Sequence, residues 1–134
     1  MPQLGLHHVS IPVRDLAVSA EFYGQALGLA RLPRPGIGPD GLWYACGAGQ
    51  LHLIVNSEGS YRNAPVSGRD SHFALATDDF DGVLKQLVAF GYDESAAPDD
   101  PKHLRVNRDS GVGFAQAFLM DPDGHVVEIN RATL

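Results

Sequence analysis

Apolar and polar residues alternate along two stretches of the chain that lie 64 positions apart. Val9, Ile11 and Val13 take every second position of the first stretch, and Phe73, Leu75 and Thr77 take every second position of the other, which is the period of a half-buried strand. When His8-Val-Ser-Ile-Pro-Val-Arg-Asp15-Leu16 is set above His72-Phe-Ala-Leu-Ala-Thr-Asp-Asp79-Phe80, the His, the Asp and the apolar residue after it coincide. Each histidine has the parity opposite to the apolar set, so it is predicted to face away from the core. The pattern then changes to a helical period. Asp15 and Asp79 stand where helix N-caps belong, and the apolar stripes Leu16, Ala20, Tyr23, Leu27 and Phe80, Leu84, Leu87 follow them. Gly28 and Gly91 are placed to stop the two helices.

The remainder of each half reads as three strands. In the first half they fall at 29–32, 42–46 and 50–55, with the turn-rich run 33–41 between the first two. The second half passes 92–94 and a loop carrying Pro98, Asp99, Asp100 and Pro101. Strands follow near 104–107, 114–120 and 125–130, the last two joined by Asp121-Pro-Asp-Gly124, a hairpin turn in which Pro presets φ and Gly accepts positive φ. The fold class expected is α+β, two βαβββ modules in one domain spanning 1–134. Module one covers about 4–56, a Ser-, Gly-, Asn- and Arg-rich linker about 57–70, and module two about 71–131.

Composition narrows the function classes. The chain has 134 residues, the size of one domain that buries a core without metal or disulfide staples, so a metal here would serve function. A 44% hydrophobic and 19% charged composition with no apolar run of bilayer length excludes disorder and a membrane span. The net charge of −6 argues against a phosphate-backbone partner, so no nucleic acid is expected. The opening ten residues show no secretion signal, and the one cysteine, Cys46, reads as a small buried hydrophobe; together they predict a reducing, cytoplasmic setting. All the basic residues except Lys85 and Lys102 are arginines, which bind anions bidentately. Arg34, Arg62, Arg69, Arg105 and Arg108 fall in loops or at strand edges and read first as solvated charge.

Four residues occupy corresponding inward-facing strand positions: His8, His52 in Gln-Leu-His-Leu-Ile-Val, His72, and Glu128 in His-Val-Val-Glu-Ile. Val127 and Ile129 flank Glu128 on the other face, which argues against a merely solvated carboxylate. Three imidazoles and a carboxylate suit Zn, Ni, Co, Fe or Mn better than the oxygen-seeking Mg²⁺ and Ca²⁺. Their spacing is not a local motif such as HExxH, and the argument for one shared divalent ion rests on the repeat. His7 is expected to face the other way from His8, and His103 and His125 read as surface residues.

The stretch from His8-Val-Ser-Ile-Pro-Val-Arg-Asp15-Leu16 through Glu21-Phe22-Tyr23 to Leu27-Gly28-Leu29, with Asp121-Pro-Asp-Gly124-His-Val-Val-Glu128, resembles the glyoxalase/bleomycin resistance/dioxygenase family, the vicinal oxygen chelate superfamily. Trp43 and Gly49-Gln-Leu-His52-Leu-Ile resemble its glyoxalase-like branch. The resemblance implies two βαβββ modules forming a curved sheet around a divalent ion, in a homodimer, with His8, His52, His72 and Glu128 in the ligand positions. Glyoxalase I members carry Glu in the place of His52 and epimerases carry Gln, so the substrate does not transfer with the fold.

The function expected is a metal-dependent, glyoxalase-like lyase or isomerase acting on a small substrate through two neighbouring oxygens, with Glu128 and His52 moving the proton. Trp43, Tyr44, Phe114 and Phe118 are candidates to line its pocket. Two alternatives stand beside this reading: an Fe(II) extradiol-type dioxygenase built on His8, His72 and Glu128 with His52 as acid/base, and a non-catalytic drug- or metabolite-binding protein.

Overall fold

The computed structural model describes residues 1–36, 38–59, 61, 65, 66 and 68–132, so the candidate Arg62 lies outside the described residues. The chain divides into two compact units, Met1–Ser60 and Tyr61–Leu134, with the division inside the predicted linker.

In the first unit the elements run β1 (His8–Val13), α1 (Leu16–Ala20), β2 (Arg31–Leu32), β3 (Gly41–Cys46) and β4 (Gly49–Val55). The sheet order is β1-β4-β3-β2, with β1 and β4 parallel and the other pairs antiparallel. The second unit repeats this with β5 (His72–Ala76), α2 (Phe80–Ala89), β6 (Arg105–Asn107), β7 (Gln116–Met120) and β8 (Val126–Asn130), in the order β5-β8-β7-β6. The two mixed four-stranded sheets have the expected α+β architecture. In the stretch 92–94, Asp93 forms one isolated bridge, to His103.

Helix caps follow the sequence. The Asp15 carboxylate accepts from the backbone N–H groups of Ala17 and Val18, and that of Asp79 accepts from Gly82, each satisfying donors a helix start leaves orphaned. Gly28 (φ 67°) and Gly91 (φ 95°) end the helical segments in the left-handed region. Along α2 the stripe Phe80, Leu84 and Leu87 is buried as expected, each contributing about 1.5–3 kcal/mol. The first helix departs from its expected stripe. After Ala20 it widens into a π-helical segment, Glu21–Ala26, in which the Leu27 N–H reaches back five residues to the Phe22 carbonyl. The wider turn puts Phe22, Tyr23 and Ala26 in the core and leaves Leu16, Ala20 and Leu27 half-buried.

Each sheet has a core face and a more open face, although Phe118, Met120, Val126, Glu128 and Asn130 on that face of the second sheet are also buried. In the first, Ile11, Val13, Tyr44, Leu51 and Leu53 are buried on the core face; in the second, Ala117, Leu119, Val127 and Ile129 are. Leu75 and Phe73 keep the predicted parity, but Thr77 falls beyond β5, where its hydroxyl accepts from the Asp79 N–H. At the predicted hairpin turn the buried Asp121 carboxylate accepts from the Asp123 and His125 N–H groups.

Candidate functional site

Strand register defines rows across each open face. In the first sheet they are His8, Gln50, Ala45; then Ser10, His52, Trp43; then Pro12, Ile54, Gly41. In the second they are His72, Val126, Met120; then Ala74, Glu128, Phe118; then Ala76, Asn130, Gln116. Position by position, His8 corresponds to His72, His52 to Glu128 and Trp43 to Phe118. The repeat seen in sequence is thus a repeat of candidate positions, each a diagonal pair on a parallel strand ladder.

In the second unit the pair is assembled. His72 Nε2 lies 3.2 Å from Glu128 Oε2. The Glu128 side chain is buried, and its Oε1 accepts from Gln116 Nε2 at 2.9 Å and from Asn130 Nδ2 at 3.0 Å. His72 Nδ1 lies 2.7 Å from the Asp70 carbonyl. A carbonyl only accepts, so Nδ1 carries a proton and donates it, and in the neutral ring the Nε2 lone pair then faces the carboxylate. Two acceptors meet at that point, and a proton or a cation must lie between them. Phe118 stands edge-on to the His72 ring at 5.6 Å between centroids. It is buried with Val66, Met120 and Val126, so residues before β5 cover this part of the open face.

The first unit holds its pair differently. His52 is buried between two parallel rings, Trp43 at 4.2 Å and 7° and His8 at 4.1 Å and 14°. His52 Nε2 lies 2.8 Å from Gln50 Oε1 and donates to it, leaving the Nδ1 lone pair. Burial lowers the His52 pKa from its ordinary value, and the charges of His8, His7 and Arg34 push the same way. Stacked imidazoles aim their ring nitrogens in nearly parallel planes, so His8 and His52 do not converge on one point; chelation by both requires one ring to swing out of the stack. His7 corrects its expectation. It precedes β1, so strand alternation does not govern it, and its Nδ1 lies 2.8 Å from His8 Nδ1. Among the described residues no three His, Cys, Asp or Glu side chains gather into a ready-made metal cluster; the structure joins His8 to His52 and His72 to Glu128, in separate units.

A sequence model of the Glyoxalase/Bleomycin resistance protein/Dioxygenase superfamily matches residues 5–129. The chain belongs to that superfamily. Glyoxylase I 4 of Arabidopsis thaliana is 28% identical over 128 residues, covering 92% of this chain and 68% of the relative. Glutathione transferase FosA of Serratia marcescens is 26% identical over 132 residues, covering 96% of this chain and 82% of the relative. The fold matches that of a glyoxalase family protein from Bacillus anthracis with a TM-score of 0.75 at 18% identity, covering 99% of this chain and 98% of that one.

A divalent ion fits the His72–Glu128 pair. Nitrogen and oxygen ligands each about 2.0–2.2 Å from one ion lie roughly 2.9–3.4 Å apart at right-angled to tetrahedral geometry, which brackets the observed 3.2 Å. The Asp70 carbonyl and the Gln116 and Asn130 amides are the outer partners that orient such ligands.

Reading the sequence missed these helpers. Asn130 was within reach, being two positions beyond Glu128 and so on its face, but Gln116 needs the β7–β8 register. Trp43 covers His52 on the open face, whereas Tyr44, one residue on, is buried in the core. Phe114 lies before β7 and is half-buried. His103 and His125 are also half-buried rather than surface residues: His103 Nδ1 donates to the Ala96 carbonyl and His125 lies beside Tyr61. Burial pushes the Cys46 thiol up, as suits a packed hydrophobe rather than a nucleophile. No helix of the described residues is long and apolar enough to cross a membrane.

Proposed function

We propose that this chain is a divalent-metal-dependent lyase or isomerase of the glyoxalase type, acting in the cytoplasm as a homodimer on a small substrate held through two neighbouring oxygens. His8, His52, His72 and Glu128 would hold the ion, which is one of Zn, Ni, Co, Fe or Mn. The observation that carries this reading is the His72–Glu128 pair, whose opposed acceptors call for a positive charge between them. A bound ion supplies Lewis acidity, polarising substrate oxygens as negative charge develops. Gln116 and Asn130 pin Oε1 of Glu128, so Oε2 is the oxygen that would hold the ion and, on swinging off it, would take a proton from substrate carbon. Gln50 fixes the His52 tautomer so that its one lone pair is at Nδ1, which would hold the ion or, when off it, receive or return a proton, and the Trp43 ring keeps water from one face of it.

A second reading, with His8, His72 and Glu128 as the ligands and His52 beside them as acid/base, is favoured by the stack that holds His52 between Trp43 and His8. It fits extradiol dioxygenase or FosA-like transferase chemistry. Metal analysis per chain, after stripping and reloading with each ion, tests both readings. About one ion is expected per chain, lost in His72→Ala. Retention of the ion in His52→Ala selects the three-ligand reading; its loss there selects the four-ligand one. Solvent-proton exchange into substrate without oxygen then marks an isomerase, and oxygen uptake with catechols marks a dioxygenase. Failure to bind any ion overturns both readings and leaves a drug- or metabolite-binding protein.

A further inference from the structure

His7 is not one of the four proposed ligands, yet the fold holds it beside one of them. Its carbonyl accepts from the Gln50 N–H at 3.0 Å, which carries the β1–β4 ladder one bond beyond the start of β1. The backbone so held sets the His7 ring edge-on to that of His8, at 5.1 Å between centroids and 84° between planes. Nδ1 of one ring lies 2.8 Å from Nδ1 of the other, a hydrogen-bond distance at which one nitrogen donates and the other accepts. Gln50 thus serves two imidazoles: its backbone fixes His7, and its side chain accepts from His52.

The second unit shows the same arrangement with a different acceptor. His72, the counterpart of His8, donates Nδ1–H to the Asp70 carbonyl two residues before it and turns its Nε2 lone pair to Glu128. A carbonyl only accepts, so that ring has no choice of tautomer. His7 can donate or accept, so at His8 the choice stays open until something takes the Nε2 lone pair. An ion on His8 Nε2 decides it: His8 Nδ1 keeps its proton and donates, His7 Nδ1 accepts, and the proton of His7 stands on its Nε2. Imidazoles that bind a metal generally donate their other N–H to a fixed acceptor, which sets the ring angle and raises the basicity of the ligating nitrogen.

We propose that His7 is the positioning residue of the first module, accepting the His8 Nδ1–H so that His8 presents Nε2 to the divalent ion. This rests on the reading that His8 is a ligand. His7 touches neither ion nor substrate in this arrangement and acts through the His8 ring alone.

The test is the Zn²⁺ affinity of the full-length, metal-stripped protein, measured by competition with a chromophoric chelator, together with NMR of the imidazole nitrogens before and after loading. His7→Phe keeps a ring and removes the acceptor, whereas His7→Asn puts an amide oxygen near the place of Nδ1. Binding about tenfold weaker in His7→Phe and mostly restored in His7→Asn is expected, with a His8 Nδ1–H and a His7 Nε2–H in the loaded wild type. Wild-type affinity in His7→Phe, equal weakening in the two variants, or zinc on a His7 nitrogen overturns the proposal. His8→Ala keeps the two ideas apart. Unchanged Zn²⁺ affinity there removes His8 from the ligand set and defeats the underlying reading, whereas a loss there beside an unaltered His7→Phe sinks only the role of His7.

Discussion

Glu128 is the residue at which fold and candidate chemistry can be separated by experiment. In Glu128→Ala the amides of Gln116 and Asn130 lose the acceptor they share at Oε1; Asn130 belongs to β8, which is buried along its length, and the half-buried Gln116 pairs with it from β7. Each unsatisfied donor costs about 1–3 kcal/mol, less whatever water the new space admits, so a loss of about 2–4 kcal/mol is expected. In Glu128→Gln the carbonyl oxygen keeps both donors, and the new NH2 meets His72 Nε2, the atom left as acceptor once Nδ1 donates to Asp70. The hydrogen bonds lose their charge assistance and the buried charge disappears, two effects of opposite sign, so stability should change by less than about 1 kcal/mol. Both variants remove the carboxylate proposed as a ligand. Urea denaturation of the metal-stripped proteins reads the first difference, and metal content after dialysis reads the second. The expected result is a stable, metal-deficient Glu128→Gln beside a destabilised, metal-deficient Glu128→Ala. Equal destabilisation of the two would refute the assignment of the amide bonds and the His72 tautomer; undiminished metal in Glu128→Gln would remove Glu128 from the ligand set.

Three further outcomes follow from other parts of the molecule. Gly82→Ala should lower stability although Ala is the better helix former by about 1 kcal/mol, because the new Cβ would collide with the Asp79 carboxylate that caps α2; a raised denaturation midpoint would contradict this. Tyr92→Phe should cost about 1–2 kcal/mol by stripping the Met120 carbonyl of the buried hydroxyl that donates to it at 2.6 Å, and an unchanged urea midpoint would show that bond to be dispensable. Trp43, the single tryptophan, lies on the His52 ring, so its emission in metal-stripped protein should report His52 protonation with a midpoint below the ordinary histidine value near 6.5. Between the lowered folded pKa and that unfolded value the unfolded chain binds more protons, so the contribution of His52 is full above about pH 6.5 and is lost as pH falls through the folded pKa. A midpoint at or above the ordinary value would place His52 in wetter surroundings than its stack implies.

The sequence by itself determined the repeat, the strand faces and the helix ends, because each depends on residues close along the chain. Alternation around Val9–Ile11–Val13 is enough to turn His8 away from the core, and Asp15, Asp79, Gly28 and Gly91 act on their own turns. It also marked Glu128 as facing opposite to Val127 and Ile129. The superfamily followed from the same stretches.

What only the tertiary structure decided is which residues on a face meet. The β1-β4-β3-β2 order joins strands far apart in the chain, and the register sets His52 between Trp43 and His8 and brings Gln116 to Glu128. No local pattern carries that information, since a slide of two residues preserves every face and changes every neighbour. The π-widened first helix escaped for a related reason: its apolar residues fit a 3.6-residue period until packing selects Phe22 together with Tyr23.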